Sequence, residues 1–279
     1  MKKKISKFVN NPRTIDDPLV KDCLEALCVI EPMHYVLVGG MATQSYLPSS
    51  YRRATSDVDL SIIEALDDTK AKAILTPMGE TFQEKGYTYE IHKGSRSYCL
   101  SVISPKEEGI CIELSRRNEG NFAKNREKLE REYENARNKI IEGRNTAYKV
   151  CAPEDIALPK LVRLINSINL YPDLKGLFPA NFDPISQELI ERKLGKIAKL
   201  RKEAMTNPGD PELSIKLRTV SDLYDIRLLG EISGYNDQYW ERAAKSWDTI
   251  SNNLEIKDEI LSKIAPQLVR PSPQMLLSV

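Results

Sequence analysis

The chain has 279 residues, enough for one large domain or two modest ones, and 41% of them are hydrophobic, ordinary for a globular protein with a buried core. Lysine plus arginine (41) nearly cancel aspartate plus glutamate (40), so no broad positive field attracts nucleic acid non-specifically, and any contact with RNA or DNA must be local. No apolar run approaches the roughly 18 residues of a membrane span, and Met1-Lys2-Lys3-Lys4 is followed by no apolar signal region, so the expectation is no membrane and a cytoplasmic location.

Five cysteines, Cys23, Cys28, Cys99, Cys111 and Cys151, make an odd number without a CxxC pair. Only His34 and His92 accompany them, so reduced, mostly buried thiols are expected and a structural zinc site lacks ligands.

In chain order, residues 16 to 30 carry apolar side chains at helical spacing behind Asp16-Asp17-Pro18, which predicts a capped leading helix. Tyr35-Val36-Leu37-Val38 is a short β-rich run stopped by Gly39-Gly40, and Met41 to Tyr46 resumes a helical pattern. Val58, Leu60 and Ile62 alternate with Asp57, Asp59 and Ser61, which predicts a strand with one apolar and one polar face. A helix near 69–85 and strands at 86–92, 98–103 and 110–114 follow. Helices are expected at 122–142, 154–168, 184–206, 211–233, 236–253 and 256–264, with a short strand at 147–151 returning to the sheet. The organisation expected is an α+β chain, with a mixed-sheet core over residues 1–150 and a mainly helical domain over 151–279.

Phosphoryl and nucleotidyl transfer ask a protein mainly to place metal ions and hold phosphates. Carboxylates are the hard oxygen ligands Mg²⁺ prefers, and residues i and i+2 of a strand point to one face with Cα atoms roughly 6.5 Å apart. Asp57 and Asp59 are therefore the candidate metal-binding and catalytic pair. A lone Asp-x-Asp also occurs at solvated strand edges; here it lies in Ser56-Asp57-Val58-Asp59-Leu60-Ser61-Ile62-Ile63, where two charges on a buried-type strand repel unless a cation lies between them. Upstream, Gly39 and Gly40 form a strand-to-helix turn whose missing side chains let backbone N–H groups approach a triphosphate.

This arrangement, an apolar strand ending in Gly39-Gly40, a helix, then the Asp57-x-Asp59 strand, resembles the nucleotidyltransferase superfamily related to DNA polymerase β. The resemblance implies that the glycine turn grips nucleotide phosphates and that a third carboxylate from a neighbouring strand completes a site for Mg²⁺ or Mn²⁺, with an NTP as substrate. Glu113, flanked by apolar residues at strand spacing, is the first candidate for that acid and Glu90 the reserve. The interval from Gly40 to Asp57 is longer than is usual in the superfamily, so an extra turn must fit around Pro48 to Ser50. Arg52, Arg53 and Ser56 lead into the carboxylate strand, where the arginines' forked donors can reach phosphates or simply occupy a solvated loop.

Two helical segments narrow the resemblance: Pro159-Lys160-Leu161-Val162-Arg163 and Ser221-Asp222-Leu223-Tyr224-Asp225. With Gly39-Gly40 and Arg53-x-x-Ser56-Asp57-x-Asp59-Leu60 they look like the AbiEii-type nucleotidyltransferase toxins of type IV toxin–antitoxin systems. That likeness implies a role for Lys160 in holding nucleotide phosphates, and for Asp222 beside the metal carboxylates as base or as orienter of Lys160. It also implies a tRNA 3′ end or other RNA as acceptor and a cognate antitoxin as partner. A basic stripe on the expected helix 184–206, Arg192, Lys193, Lys196, Lys199, Arg201 and Lys202, either guides an RNA backbone or forms a solvated face interleaved with Glu188, Glu191 and Glu203. The rival readings are transfer to a small molecule or protein side chain, which the near-zero net charge favours, and a catalytically silent nucleotide-binding module.

Overall fold

The chain, seen in a computed structural model, is described over residues 12–30, 35–106, 108–180 and 182–269; Met1 to Lys4 and His34 lie outside the described residues. It divides into two compact units, Met1–Ala152 and Pro153–Val279.

In the first unit, α1 (Pro18–Ala26) begins where the Asp17 carboxylate accepts the Leu19 N–H and Pro18 occupies the first helical position. It tightens into a 3₁₀ turn, Leu27–Ile30, within the span expected to be one helix. Strand β1 (Tyr35–Val38) runs directly into α2 (Gly39–Gln44), and the long interval to the next strand is taken up by a 3₁₀ turn at Ser49–Tyr51. Then come β2 (Asp57–Ile62), α3 (Asp68–Glu84), β3 (Thr88–Lys93), β4 (Ser97–Ile103), β5 (Gly109–Ser115), α4 (Glu119–Glu134), β6 (Arg137–Ile140) and β7 (Ala147–Val150). The helix expected over 122–142 is a correction: it stops at Glu134, and Arg137–Ile140 pairs antiparallel with β7 through a turn in which Gly143 has φ +79°. The polar periodicity of 137–140 continues that of the helix before it. Only the partner strand ten residues on, whose ladder satisfies these backbone groups, decides against helix.

The seven strands form one mixed sheet in the order β3-β4-β5-β2-β1-β7-β6. The register puts Tyr35 and Leu37, Val58, Leu60 and Ile62, Ile112 and Leu114, Tyr98, Leu100 and Val102 on one face. Helix α3 covers this face: a Cβ on Gly79 would meet the Tyr89 ring at 2.4 Å, and the Tyr98 hydroxyl donates to Asp68 at 2.6 Å. Val58, Leu60, Leu100 and Ile112 are fully buried there, which makes this face the core of the unit. The opposite face carries Asp57, Asp59, Ser61, Cys99, Ser101, Cys111 and Glu113. On that side Lys149 of β7 sits 3.4 Å over the Tyr133 ring of α4.

The second unit is helical: α5 (Pro153–Leu170), α6 (Gln187–Thr206), α7 (Pro211–Leu228) with a π turn at Leu229–Ser233, α8 (Asp237–Ala244), α9 (Asp248–Ser251) and α10 (Leu254–Ile264). Helix α5 continues through Pro159, and the span 236–253 is two helices because the chain turns extended at Trp247. Helices α5 and α7 pack together; Leu161, Leu164 and Ile165 of the first and Ile226 and Leu228 of the second are buried, as is Trp240. The fold is α+β, a mixed sheet with flanking helices followed by a helical unit. No described helix is long and apolar enough to cross a membrane.

Candidate active site

Strand β2 is central, with β1 antiparallel on one side and β5 parallel on the other. Its polar face therefore meets polar residues from one neighbour: Asp59 is level with Glu113, and Asp57 with Cys111. Adjacent strands lie roughly 4.8 Å apart, so Glu113 stands beside Asp59. Glu90 is opposite Ser101 on the edge strand β3, three strands or about 14 Å from β2, too far to share an ion with Asp57. All three acids, Asp57, Asp59 and Glu113, are half-buried. They share a face without gathering as tightly as Cys99, Cys111 and Glu113, whose ligand atoms all lie within 4.8 Å of one another. A spread set suits two ions about 3.5 to 4 Å apart better than a single closed cage.

The glycine turn abuts this row. Val38, the last residue of β1, is level with Asp59, so Gly39 follows at the carboxylate itself. Gly39 has φ +72°, and a Cβ there would lie 2.1 Å from Asp59 Oδ2; no other residue type fits. Gly40 is pressed in the same way on Thr55, with 2.8 Å from a would-be Cβ to Oγ1.

Thr55 belongs to none of the sequence motifs. Its Oγ1 donates to Asp57 Oδ1 at 3.0 Å, and its backbone exchanges two hydrogen bonds with Arg13, at 2.7 and 2.8 Å. Its place two residues before Asp57, on the same pleat, was the available signal. Arg53 and Ser56 are half-buried in the segment entering β2. Arg52 is committed elsewhere, to Asp16 and to the Leu47 carbonyl at 2.9 Å, and so braces the 3₁₀ turn.

Cys99 of β4 is level with Glu113, and Cys111 precedes Glu113 by two on the same strand, which brings both thiols to the carboxylate's face. Hydrogen bonding from Cys111 holds the Cys99 thiol below its ordinary value; the same contact, with burial, pushes Cys111 up. None of the five cysteines, all among the described residues, is in a disulfide, and of the five Cys28 is exposed.

In the helical unit Lys160 and Asp222 do meet, but as members of a buried network. Lys160 Nζ is 2.8 Å from Asp225 Oδ2 and 3.8 Å from Asp222 Oδ1, while Arg163 grips Asp222 in a fork of 3.0 and 2.9 Å. Relative exposures of 3%, 2% and 0% for Lys160, Asp222 and Asp225 make this a desolvated cluster joining α5 to α7. Asp225, not Asp222, is the nearest partner of Lys160. The i, i+3 spacing offered both acids, and only the helix pairing chooses between them.

A cleft of about 670 Å³ opens at the far ends of β2 and β5, among Lys70, Arg96, Tyr98, Arg116 and Arg117. Asp57, Asp59 and Glu113 do not line it; there Lys70 is paired with Glu64, Arg116 and Arg117 donate to the carbonyls of Gly94, Ser95 and Ile62, and the Tyr98 hydroxyl donates to Asp68.

No protein-family model and no curated protein matches the chain. Among solved structures it is similar to an antigenic nucleotidyltransferase-like protein from Paracoccidioides brasiliensis, 15% identical over 93% of this chain and 99% of that one, with a TM-score of 0.46. It is also similar to terminal uridylyl transferase 4 from Trypanosoma brucei with bound GTP, 11% identical over 84% of this chain and 73% of that one, TM-score 0.26. A cytoplasmic RNA terminal U-transferase is 14% identical over 60% of this chain and 46% of that one, TM-score 0.24.

Proposed function

We propose that this protein is a nucleotidyltransferase that moves a nucleoside monophosphate from an NTP to a hydroxyl of an RNA, the 3′ end of tRNA being the first acceptor to test. One observation carries the reading: Asp57, Asp59 and Glu113 stand on a single face of paired strands, with the Gly39 turn directly against Asp59.

Three carboxylates form a hard oxygen donor set, which fits Mg²⁺ or Mn²⁺. Such ions, when bound, neutralise charge on the transferring phosphoryl group and favour deprotonation of the incoming hydroxyl. The chain's own part is positioning. Thr55 fixes the rotation of the Asp57 carboxyl by donating to one oxygen. Gly39 leaves the approach to Asp59 open where any side chain would close it, and Gly40 leaves room for Thr55. Arg53 and Ser56, at the entrance of β2, are the side chains proposed to contact the nucleotide phosphates.

Lys160 and Asp222 enter through the AbiEii-type resemblance alone. A phosphate-holding role for Lys160 requires its ammonium to exchange Asp225 for a phosphate oxygen, and Asp222 keeps Arg163 beside it. The same resemblance motivates a toxin role with a cognate antitoxin. Co-expression with the product of the neighbouring gene tests it, and growth arrest left unrelieved by that product removes it.

The enzyme reading is tested by incubating the protein with Mg²⁺, each labelled NTP in turn and total tRNA. Expected is label transfer with at least one NTP, lost on chelation and in Asp57→Ala; no transfer in any combination defeats the reading. The formal net charge of +1 favours a second acceptor class, a small molecule or a protein hydroxyl. Mass spectrometry of the RNA, protein and metabolite fractions after reaction separates the two.

A further inference from the structure

The most compact set of ligand atoms among the described residues is not the carboxylate row but its neighbour: the sulfurs of Cys99 and Cys111 and a carboxylate oxygen of Glu113, all within 4.8 Å of one another. Both cysteines are buried, at 5% and 4% relative exposure, and Glu113 is half-buried. The set is rigid for a backbone reason. Strands β4 and β5 are each paired on both sides, so the three Cα positions are fixed by ladders rather than by loops. Cys99 lies directly across from Glu113, and Cys111 lies two residues along the same pleat. Ser97 Oγ sits 3.5 Å from Cys99 Sγ and can steady that sulfur.

We propose that Cys99, Cys111 and Glu113 form a binding site for a thiophilic divalent cation, Zn²⁺ or Cd²⁺, and that such an ion takes Glu113 from the carboxylate row and arrests transfer. Tetrahedral zinc with Zn–S distances near 2.3 Å puts two sulfurs about 3.8 Å apart, a spacing these thiols reach by side-chain rotation alone. Three protein ligands leave the fourth position to solvent. The two thiol protons leave to bulk water as the metal–sulfur bonds form. Mg²⁺ does not compete for this site, because thiolates are soft donors and Mg²⁺ keeps to oxygen. The inhibitory half of the proposal rests on the nucleotidyltransferase reading; the binding half does not.

The experiment uses the full chain in a Cys28→Ser background, which removes the exposed thiol. Cd²⁺ is titrated while the ultraviolet thiolate-to-metal charge-transfer band is recorded, and Zn²⁺ is then used to compete it away. Expected is a band saturating at one Cd²⁺ per chain, with the apparent affinity at least tenfold weaker in Cys99→Ser or Cys111→Ser and the band absent in the double variant. Cys→Ala versions, with circular dichroism as a fold check, serve where a serine variant fails to fold. Absence of the band in the parent, or an unchanged band in the folded double variant, overturns the site. In the transfer assay at fixed Mg²⁺, Zn²⁺ is expected to inhibit the parent and to inhibit the double variant at least tenfold less. Equal inhibition of both overturns the inhibitory half. Should the parent show no transfer at all while the band behaves as expected, the function reading has failed and the metal site stands.

Discussion

A methyl group on Gly39 would lie 2.1 Å from Asp59 Oδ2, well inside the carbon–oxygen van der Waals contact distance. The left-handed φ of +72° at Gly39 compounds this, since an L-residue there costs roughly 1–2 kcal/mol before any clash. Gly39→Ala is therefore expected to lower the unfolding free energy by about that amount or more and to push Asp59 out of the carboxylate row. Urea unfolding together with the transfer assay checks it. A variant of full stability and full activity would show that the turn does not set the carboxylate's position.

Thr55 steadies Asp57 through one 3.0 Å hydrogen bond to a charged acceptor, a class worth about 1.5–3 kcal/mol. Thr55→Val keeps the shape and removes the donor, so transfer should fall about tenfold or more with the fold intact, and Thr55→Ser should restore most of it. If valine and serine variants turn over equally, the hydroxyl has no positioning role.

Lys160 and Asp225 form a buried ion pair at 2.8 Å. Removing one partner weakens the compensation of the other buried charge, so Lys160→Met or Asp225→Asn should each be destabilising, by up to roughly 3–5 kcal/mol in denaturant unfolding. The double variant Lys160→Met with Asp225→Leu should recover most of the loss. This pair of measurements also separates two roles for Lys160. A stable but inactive double variant supports phosphate holding, whereas a stable and active one confines the lysine to joining α5 and α7.

Acid sensitivity should centre on Asp22. Burial alone would raise its carboxyl, but hydrogen bonds from Tyr87, from Lys85 at 3.0 Å and from Arg144 outweigh it and hold the group below its ordinary 3.8. A carboxyl lowered on folding adds stability that is complete above the ordinary value and disappears as pH falls through the folded-state value. Lys85→Met should thus be destabilising at neutral pH, and its difference from the parent should shrink as pH drops below about 4, followed by thermal melting across that range. Glu25, lowered by the same lysine, shares the trend. A difference that stays constant down to pH 2 would remove the electrostatic explanation.

Much of the site could be read along the chain, because the period of two in Asp57 to Ile62 reports which residues share a pleat, and Gly39-Gly40 reports a turn that tolerates no side chain. Those are properties of consecutive residues, and composition and periodicity are sufficient for them. Strand order is another matter: Glu113 and Glu90 have similar local patterns, and only the pairing of β5 with β2 sets one beside Asp59 and the other about 14 Å away.

The same limit explains the helix that gave way to β6, the choice of Asp225 over Asp222 beside Lys160, and the meeting of Cys99 with Cys111. Each depends on which distant segment supplies the partner, a hydrogen-bonding and packing choice made between strands and helices rather than within them. Alternation and turn chemistry thus specified the acidic pleat and its glycine entrance. The sheet's pairing order specified the third acid and the thiols at its side, since side chains from separate strands converge only once the ladder between them has formed.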